Sequence, residues 1–166
     1  MERIMIIGGC GCGKTTLAKK LQDKLKIPLV HLDVLYWRDH WQHVSHYEFD
    51  ELLLQEVTKP RWIMDGNFSR TIPFRLKYCD TVIYIDYSRL KCVCGVIKRV
   101  INNFGKSRPD MGGYCPERFD FEFIQSVWNF NRRNRKRYYE MLHHASGVKV
   151  IILKSRKQVR MFLDRV

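Results

Sequence analysis

Gly8-Gly9-Cys10-Gly11-Cys12-Gly13-Lys14-Thr15 fits the pattern G-x-x-x-x-G-K-[ST] of a phosphate-cradling loop. Its flanks agree. Arg3-Ile4-Met5-Ile6-Ile7 reads as a short buried strand, and Lys14 to Leu25 reads as a helix with Leu17, Ala18, Leu21 and Leu25 on one face. A loop between such elements points its backbone N–H groups at one spot, where the helix N-terminus adds partial positive charge. In this setting Gly8, Gly9, Cys10, Gly11, Cys12 and Gly13 wrap an anion, Lys14 reaches terminal phosphates, and Thr15, followed by Thr16, offers a hydroxyl to magnesium.

Around this motif the chain alternates strand and helix, which argues for a parallel α/β sheet covered on both faces. A second strand, Pro28 to Leu32, ends at Asp33; a third, Arg61 to Met64, ends at Asp65-Gly66; a fourth, Thr81 to Ile85, precedes Asp86; and the last is Val148 to Leu153. Ser45-His46-Tyr47-Glu48 and Ser155-Arg156-Lys157-Gln158 read as capping boxes that open helices, the first running to about Lys59. Ser88 caps a helix to about Asn103, and a long helix covers about Phe121 to His144. Between these two, Gly105 to Glu117 carries three glycines and two prolines and reads as a mobile basic loop able to close over the strand ends. No repeat or low-complexity tract divides the 166 residues, so one domain is expected.

The formal charge of +13 implies an anionic partner: nucleotide, nucleic acid or an acidic surface. From Lys98 to Arg137 there are ten Lys/Arg against four Asp/Glu, densest at Arg132-Arg133-Asn134-Arg135-Lys136-Arg137. No apolar run has the length of a membrane span, and no leader precedes the first strand, so a cytoplasmic protein without a membrane partner is expected. The six cysteines form no C-x-x-C pair and read as reduced thiols. Cys10 and Cys12 sit near a helix N-terminus, a setting that lowers thiol pKa; they also read as small residues that a tight loop tolerates.

Phosphoryl transfer needs held phosphates, magnesium, positive charge on the moving group and a placed acceptor. Asp65 at a strand end reads as the acidic partner for magnesium or its waters, and also as a turn or helix-cap aspartate before Gly66. Asp33 is placed to orient an acceptor hydroxyl or act as its base, and equally reads as a plain strand-end aspartate. His31 reads as a packed strand histidine. Arg99, Arg108, Arg118, Arg132 and Arg133 are the candidates for neutralising developing charge, and Arg70 and Arg75 for holding an acceptor phosphate. Tyr36, Trp37, Trp41 and Phe68 form an aromatic group suited to base stacking or to core packing.

These residues resemble the adenylate kinase-like P-loop kinases, and most closely the bacterial DNA topology modulation proteins. The similar stretches are IMIIGGCGCGKTTLAKKL (4–21), IPLVHLDVLYW (27–37), WIMDGNFSRT (62–71), CDTVIYIDYSR (79–89), RPDMGGYCPERFDFEF (108–123) and WNFNRRNR (128–135), which span nearly the whole chain. The resemblance implies a three-layer fold with a five-stranded parallel sheet, ATP and magnesium as cofactors, an acceptor region around 33–60 and a lid around 105–117. It points to Arg99, Arg108, Arg118, Arg132 and Arg133 near the phosphates. Adenylate kinases read D-G-F-P-R-T after the third strand, whereas Asp65-Gly66-Asn67-Phe68-Ser69-Arg70-Thr71 carries one extra residue, so AMP specificity does not carry over. The expected activity is transfer of the γ-phosphoryl group of Mg-ATP to a nucleotide or other small polar acceptor. The alternatives are a nucleotide-gated nucleic-acid-binding protein that affects DNA topology, and a nucleotide hydrolase with no separate acceptor.

Overall fold

Ile4, Met5, Ile6 and Ile7 follow one another with no polar interruption and all four are fully buried, because a parallel sheet is covered on both faces. The computed structural model describes residues 1–166. It contains five parallel strands, β1 (Arg3–Gly8), β2 (Leu29–His31), β3 (Trp62–Asp65), β4 (Thr81–Ile85) and β5 (Lys149–Leu153), in the order β2-β3-β1-β4-β5. Seven helices accompany them: α1 (Lys14–Leu25), α2 (Leu32–Tyr36), α3 (His46–Val57), α4 (Ile72–Leu76), α5 (Arg89–Asn103), α6 (Phe121–His143) and α7 (Arg156–Arg165).

Side chains alternate across the sheet and divide the core in two. Ile4, Ile6, Ile63, Ile83 and Ile85 pack with Leu17, Leu21, Val96 and Leu163, on the side of α1, α5 and α7. Met5, Ile7, Met64, Val82 and Tyr84 pack with Phe49, Leu53, Tyr138 and Leu142, on the side of α3 and α6. The chain leaves β1 toward β2 on one side and leaves β3 toward β4 on the other. The crevice between β1 and β3, where Ile6 pairs with Asp65, is therefore the topological switch point at which such sheets bind ligands.

Several boundaries differ from the sequence reading. The second strand stops at His31, and Asp33 lies in the first turn of α2, not at a strand end. The helix from His46 stops at Val57; its cap is present, with the Glu48 N–H donating to Ser45 Oγ at 3.1 Å. Ser88 occupies the cap position of α5 but makes no side-chain cap bond, whereas Asp120 caps α6 by accepting from the Phe123 N–H at 2.9 Å. At α7 Ser155 accepts from the Gln158 N–H, and Gln158 Oε1 accepts from the Lys154 N–H.

The segment 105–117 is not a free basic loop. Lys106 and Arg108 are balanced by Asp110 and Glu117. Its two ends pair, Gly105 N–H with the Glu117 carbonyl and Glu117 N–H with the Lys106 carbonyl. Its tip is docked on residues 38–40: Tyr114 N–H donates to Asp39 Oδ1 at 2.6 Å, His40 N–H to the Tyr114 carbonyl at 2.9 Å, and the Cys115 thiol to the Arg38 carbonyl at 3.1 Å. Gly112 makes this seat possible, since a Cβ there would stand 2.2 Å from the Trp37 carbonyl oxygen.

Candidate phosphotransfer site

At the switch point a cleft of about 800 Å³ opens between two walls. One wall is the phosphate loop with α5. Gly11 takes φ 75°, a left-handed conformation, and lies so close to α5 that a Cβ on Gly95 would stand 2.1 Å from the Gly11 carbonyl oxygen. The loop is thus braced from behind by a helix backbone and not by a side chain.

Lys14 reaches back across this loop, its Nζ donating to the carbonyls of Gly8 at 2.9 Å and Gly9 at 3.1 Å. Burial disfavours its charge, but the neighbouring Cys12 and Cys10 sulfurs and the Asp65 and Asp33 carboxylates outweigh burial and hold its pKa above the ordinary lysine value. The Cys12 thiol is buried and burial pushes it up to about 12, so its place before a helix does not lower it. Cys10, half-buried, lines the cleft.

Thr15 Oγ1 donates to Asp65 Oδ2 at 2.6 Å, and His31 Nδ1 lies 3.3 Å from the same oxygen. Burial works to raise the Asp65 pKa, yet the hydrogen bonds from His31 and Thr15 and the Lys14 charge prevail and hold it below the usual carboxylate range. Its other oxygen, Oδ1, is buried and accepts no hydrogen bond. A hydroxyl and a carboxylate with a spare buried oxygen, next to a phosphate loop, are a donor set of hard oxygens that fits magnesium. His31, read as a packing residue, is therefore a neighbour of the site that orients Asp65.

The opposite wall comes from α2, residues 37–41, the turn after β3 and the 105–117 segment. Asp33, Trp37, Trp41, Asn67, Phe68 and Met111 line it. Burial, aided by the like charge of Asp65, raises the Asp33 pKa, against the pull of Arg108 and Lys14. Trp37, Trp41 and Phe68 face the cleft. Tyr36 stands behind them, its ring 5.0 Å from those of Trp37, His43 and Phe68.

The arginines separate sharply. Arg99 and Arg108 reach the cleft, where both point their Nε at Glu117 Oε1, at 3.0 and 2.7 Å. Glu117 is only 3% exposed. These pairs lie at ion-pair distance but are not aligned as hydrogen bonds, since none of the three atoms has a hydrogen-bond partner. Arg108 also pairs with Asp110. Arg118 lines the cleft and is exposed. Arg132 and Arg133 are exposed on α6 and are not in the cleft wall.

Neither proposed acceptor-phosphate arginine is available. Arg70 is exposed and grips Asp50 with two bonds of 2.9 and 2.7 Å. Arg75 is fully buried, donates to Thr71 Oγ1 and to the carbonyls of Gly66 and Asn67, and is pulled down to about 10 by burial. It holds the turn after β3 in shape.

Sequence reasoning missed Glu117, which carried no motif, and Asn67, the residue between Gly66 and Phe68. Asn67 Oδ1 accepts the Gly8 N–H at 2.9 Å and so ties the third strand's turn to the phosphate loop. The extra residue in the D-G-N-F-S-R-T run was the available signal. Lys98, Asp120 and Arg156 also line the cleft without having been singled out.

The profile of the PduV-EutP family, described as ethanolamine utilisation – propanediol utilisation, matches residues 1–34, the stretch that holds the phosphate loop. No curated protein matches the chain significantly. Among solved structures, the crystal structure of shikimate kinase from Bacteroides thetaiotaomicron is similar over 99% of this chain and 95% of its own, with a TM-score of 0.58 and 17% identity. At that identity the likeness establishes the architecture: a five-stranded all-parallel sheet flanked by helices, in the P-loop NTPase arrangement.

Proposed function

We propose that this chain is a P-loop phosphotransferase that moves the γ-phosphoryl group of Mg-ATP to a hydroxyl of a small acceptor. One observation carries the reading. Thr15 is hydrogen-bonded to Asp65 at the base of the cleft, and Lys14 and Asp33, a second carboxylate on the acceptor wall, stand within electrostatic reach of Asp65. Thr15 and Asp65 would hold magnesium, which supplies neutralisation of the phosphate charge when bound. The Gly8–Gly13 backbone and Lys14 bind and orient the triphosphate. Asp33, its pKa raised, takes the acceptor's proton. Arg108, Arg99 and Arg118 supply positive charge, and the docked 105–117 segment excludes water. The fold similarity to a shikimate kinase supports a small-molecule acceptor.

The test is ADP release from Mg-ATP across a panel of hydroxyl compounds, with Lys14→Ala as control. Acceptor-dependent release that vanishes in the variant is expected. ATP binding without transfer to any acceptor overturns the reading.

A second reading, nucleic-acid binding as in the resemblance to topology modulation proteins, draws on Arg132, Arg133 and Arg137, which are exposed on α6 and form no ion pair. Arg135 does not add to it, since its guanidinium is held by buried Asp86 at 2.8 Å. Binding to duplex DNA that falls steeply with salt, and falls further on reversing Arg132 and Arg133, supports this reading; salt-independent or absent binding removes it.

A further inference from the structure

The acceptor wall can be sorted by charge. A bound phosphate or carboxylate needs a cation that is free to pair with it. Of the arginines on the acceptor side, all but Arg118 are already engaged. Arg70 is on Asp50, and Arg75 is buried on backbone carbonyls. Arg38 donates to the carbonyls of Leu35 and Trp37 and pairs with Glu48. Arg99 and Arg108 share Glu117, and Arg108 also holds Asp110. Of the other cations in the lining, Lys14 is on the phosphate loop, Lys98 on α5 and Arg156 at the start of α7, whereas Arg118 is exposed beside His40 and Trp41.

What faces the acceptor instead is acidic and aromatic. Asp33, Asp65 and Glu117 are all in the lining. Trp37, Trp41 and Phe68 supply flat apolar faces. The indole Nε1–H of Trp41 is buried and donates to nothing. The backbone is held out of its preferred regions in this wall, with φ of 55° at His40, 61° at Trp41 and 34° at Phe68. Three non-glycine residues with left-handed backbone at one site mark a shape that the surroundings impose.

From this arrangement we infer that the acceptor is an uncharged alcohol with a flat ring, of the nucleoside class, and that the cleft rejects acceptors bearing a phosphate or carboxylate. The inference rests on the phosphotransferase reading and narrows it. The ring lies against the tryptophans, and the Trp41 N–H meets a ring oxygen or nitrogen. In the transfer the acceptor hydroxyl oxygen forms the new bond to the γ-phosphorus. The bond from that phosphorus to the β–γ bridging oxygen breaks, its electron pair leaves with ADP, and the hydroxyl proton passes to the Asp33 carboxylate and on to water. An anionic acceptor meets the Asp33 carboxylate, which has no ion-pair partner, an unfavourable pairing of like charges, and Arg118 is the one lining arginine that is not already paired.

Matched pairs decide it: each common nucleoside against its 5′-monophosphate, and benzyl alcohol against its carboxylated analogue. Binding is measured by titration calorimetry on the full chain loaded with a magnesium complex of a non-hydrolysable ATP analogue. ADP release is measured in parallel with Mg-ATP. The uncharged member of a pair is expected to bind about tenfold tighter or more. Asp33→Asn is expected to narrow that gap by admitting the monophosphate, and to abolish release. Trp41→Phe, which keeps a ring but loses the N–H, weakens nucleoside binding while ATP-analogue affinity holds. Equal binding within pairs, or binding of neither member, overturns the inference. Monophosphate-stimulated ADP release that Lys14→Ala removes also overturns it but leaves the phosphotransferase standing. Nucleoside binding with no stimulated release overturns the phosphotransferase and leaves only the ligand preference.

Discussion

Along the phosphate-loop wall of the cleft, one run of consecutive residues, Gly8 to Thr15, supplies the backbone groups; along the acceptor wall, side chains come from three separated segments. The first wall is held by glycine geometry and by the close Gly11–Gly95 approach. The second is held by ion pairs, ring contacts and the seat of 105–117 on 38–40. A backbone site needs little from the rest of the fold once strand and helix flank it. A side-chain site exists only when every contributing segment is in place. The two walls should therefore fail differently.

The largest effect is expected on the loop wall. Lys14→Ala should reduce phosphoryl transfer about a thousandfold or more, with the melting temperature little changed, as read by steady-state ADP release. A fall below tenfold would mean that the loop is not the chemical centre.

On the acceptor wall the effect should appear first as stability. Glu117→Gln leaves Arg99 and Arg108 facing each other without their shared anion and should cost about 3 kcal/mol in denaturant unfolding. If unfolding is unchanged, the cluster is not what holds the segment over the cleft.

Gly95→Ala sharpens the contrast, because it touches the loop only through packing. A methyl group 2.1 Å from the Gly11 carbonyl must displace the loop or the helix. A cost of about 1–3 kcal/mol and weaker ATP-analogue binding are expected, with acceptor binding unaffected.

The two carboxylates separate the walls by pH. Asp33 has a raised pKa, so its ionisation opposes folding: the stabilisation it gives when protonated is present at low pH and lost as pH rises through its folded value. Asp33→Asn should thus raise the melting temperature at neutral pH and leave it unchanged below about pH 3, where both states are protonated. Asp65 has a lowered pKa, so its stabilisation is present above the unfolded value and is lost as pH falls through the folded one. Asp65→Asn should therefore destabilise at neutral pH and converge with the parent in acid. Melting curves of both variants across pH check the opposite signs.

The smallest effect is expected outside both walls. Arg132→Ala with Arg133→Ala should leave transfer within about twofold, as exposed charges far from a site do. A larger loss would bring α6 into the mechanism.

The loop wall and the sheet were legible in the sequence because their signals are local. An apolar strand, a glycine-rich turn and a helix stripe sit within one stretch, and their conformation follows from backbone sterics and burial. Asp65 was legible for the same reason, as the last residue of an apolar run. The fates of the arginines were not. Nothing local separates Arg75, buried on carbonyls, from Arg108, which lines the cleft, or Arg132, exposed on a helix. An arginine's role depends on which carboxylate or carbonyl the fold brings to its long side chain. The same holds for Glu117, whose partners come from α5 and from the other strand of its own loop, and for Asn67, which meets the phosphate loop across the sheet. Sequence by itself determined that this chain builds a parallel sheet with a phosphate loop at its switch point, since those elements arise from contacts between near neighbours. Tertiary structure decided which charges remain free to meet a ligand, because a charge is free or spent only according to what lies within a few ångströms of it in the folded chain.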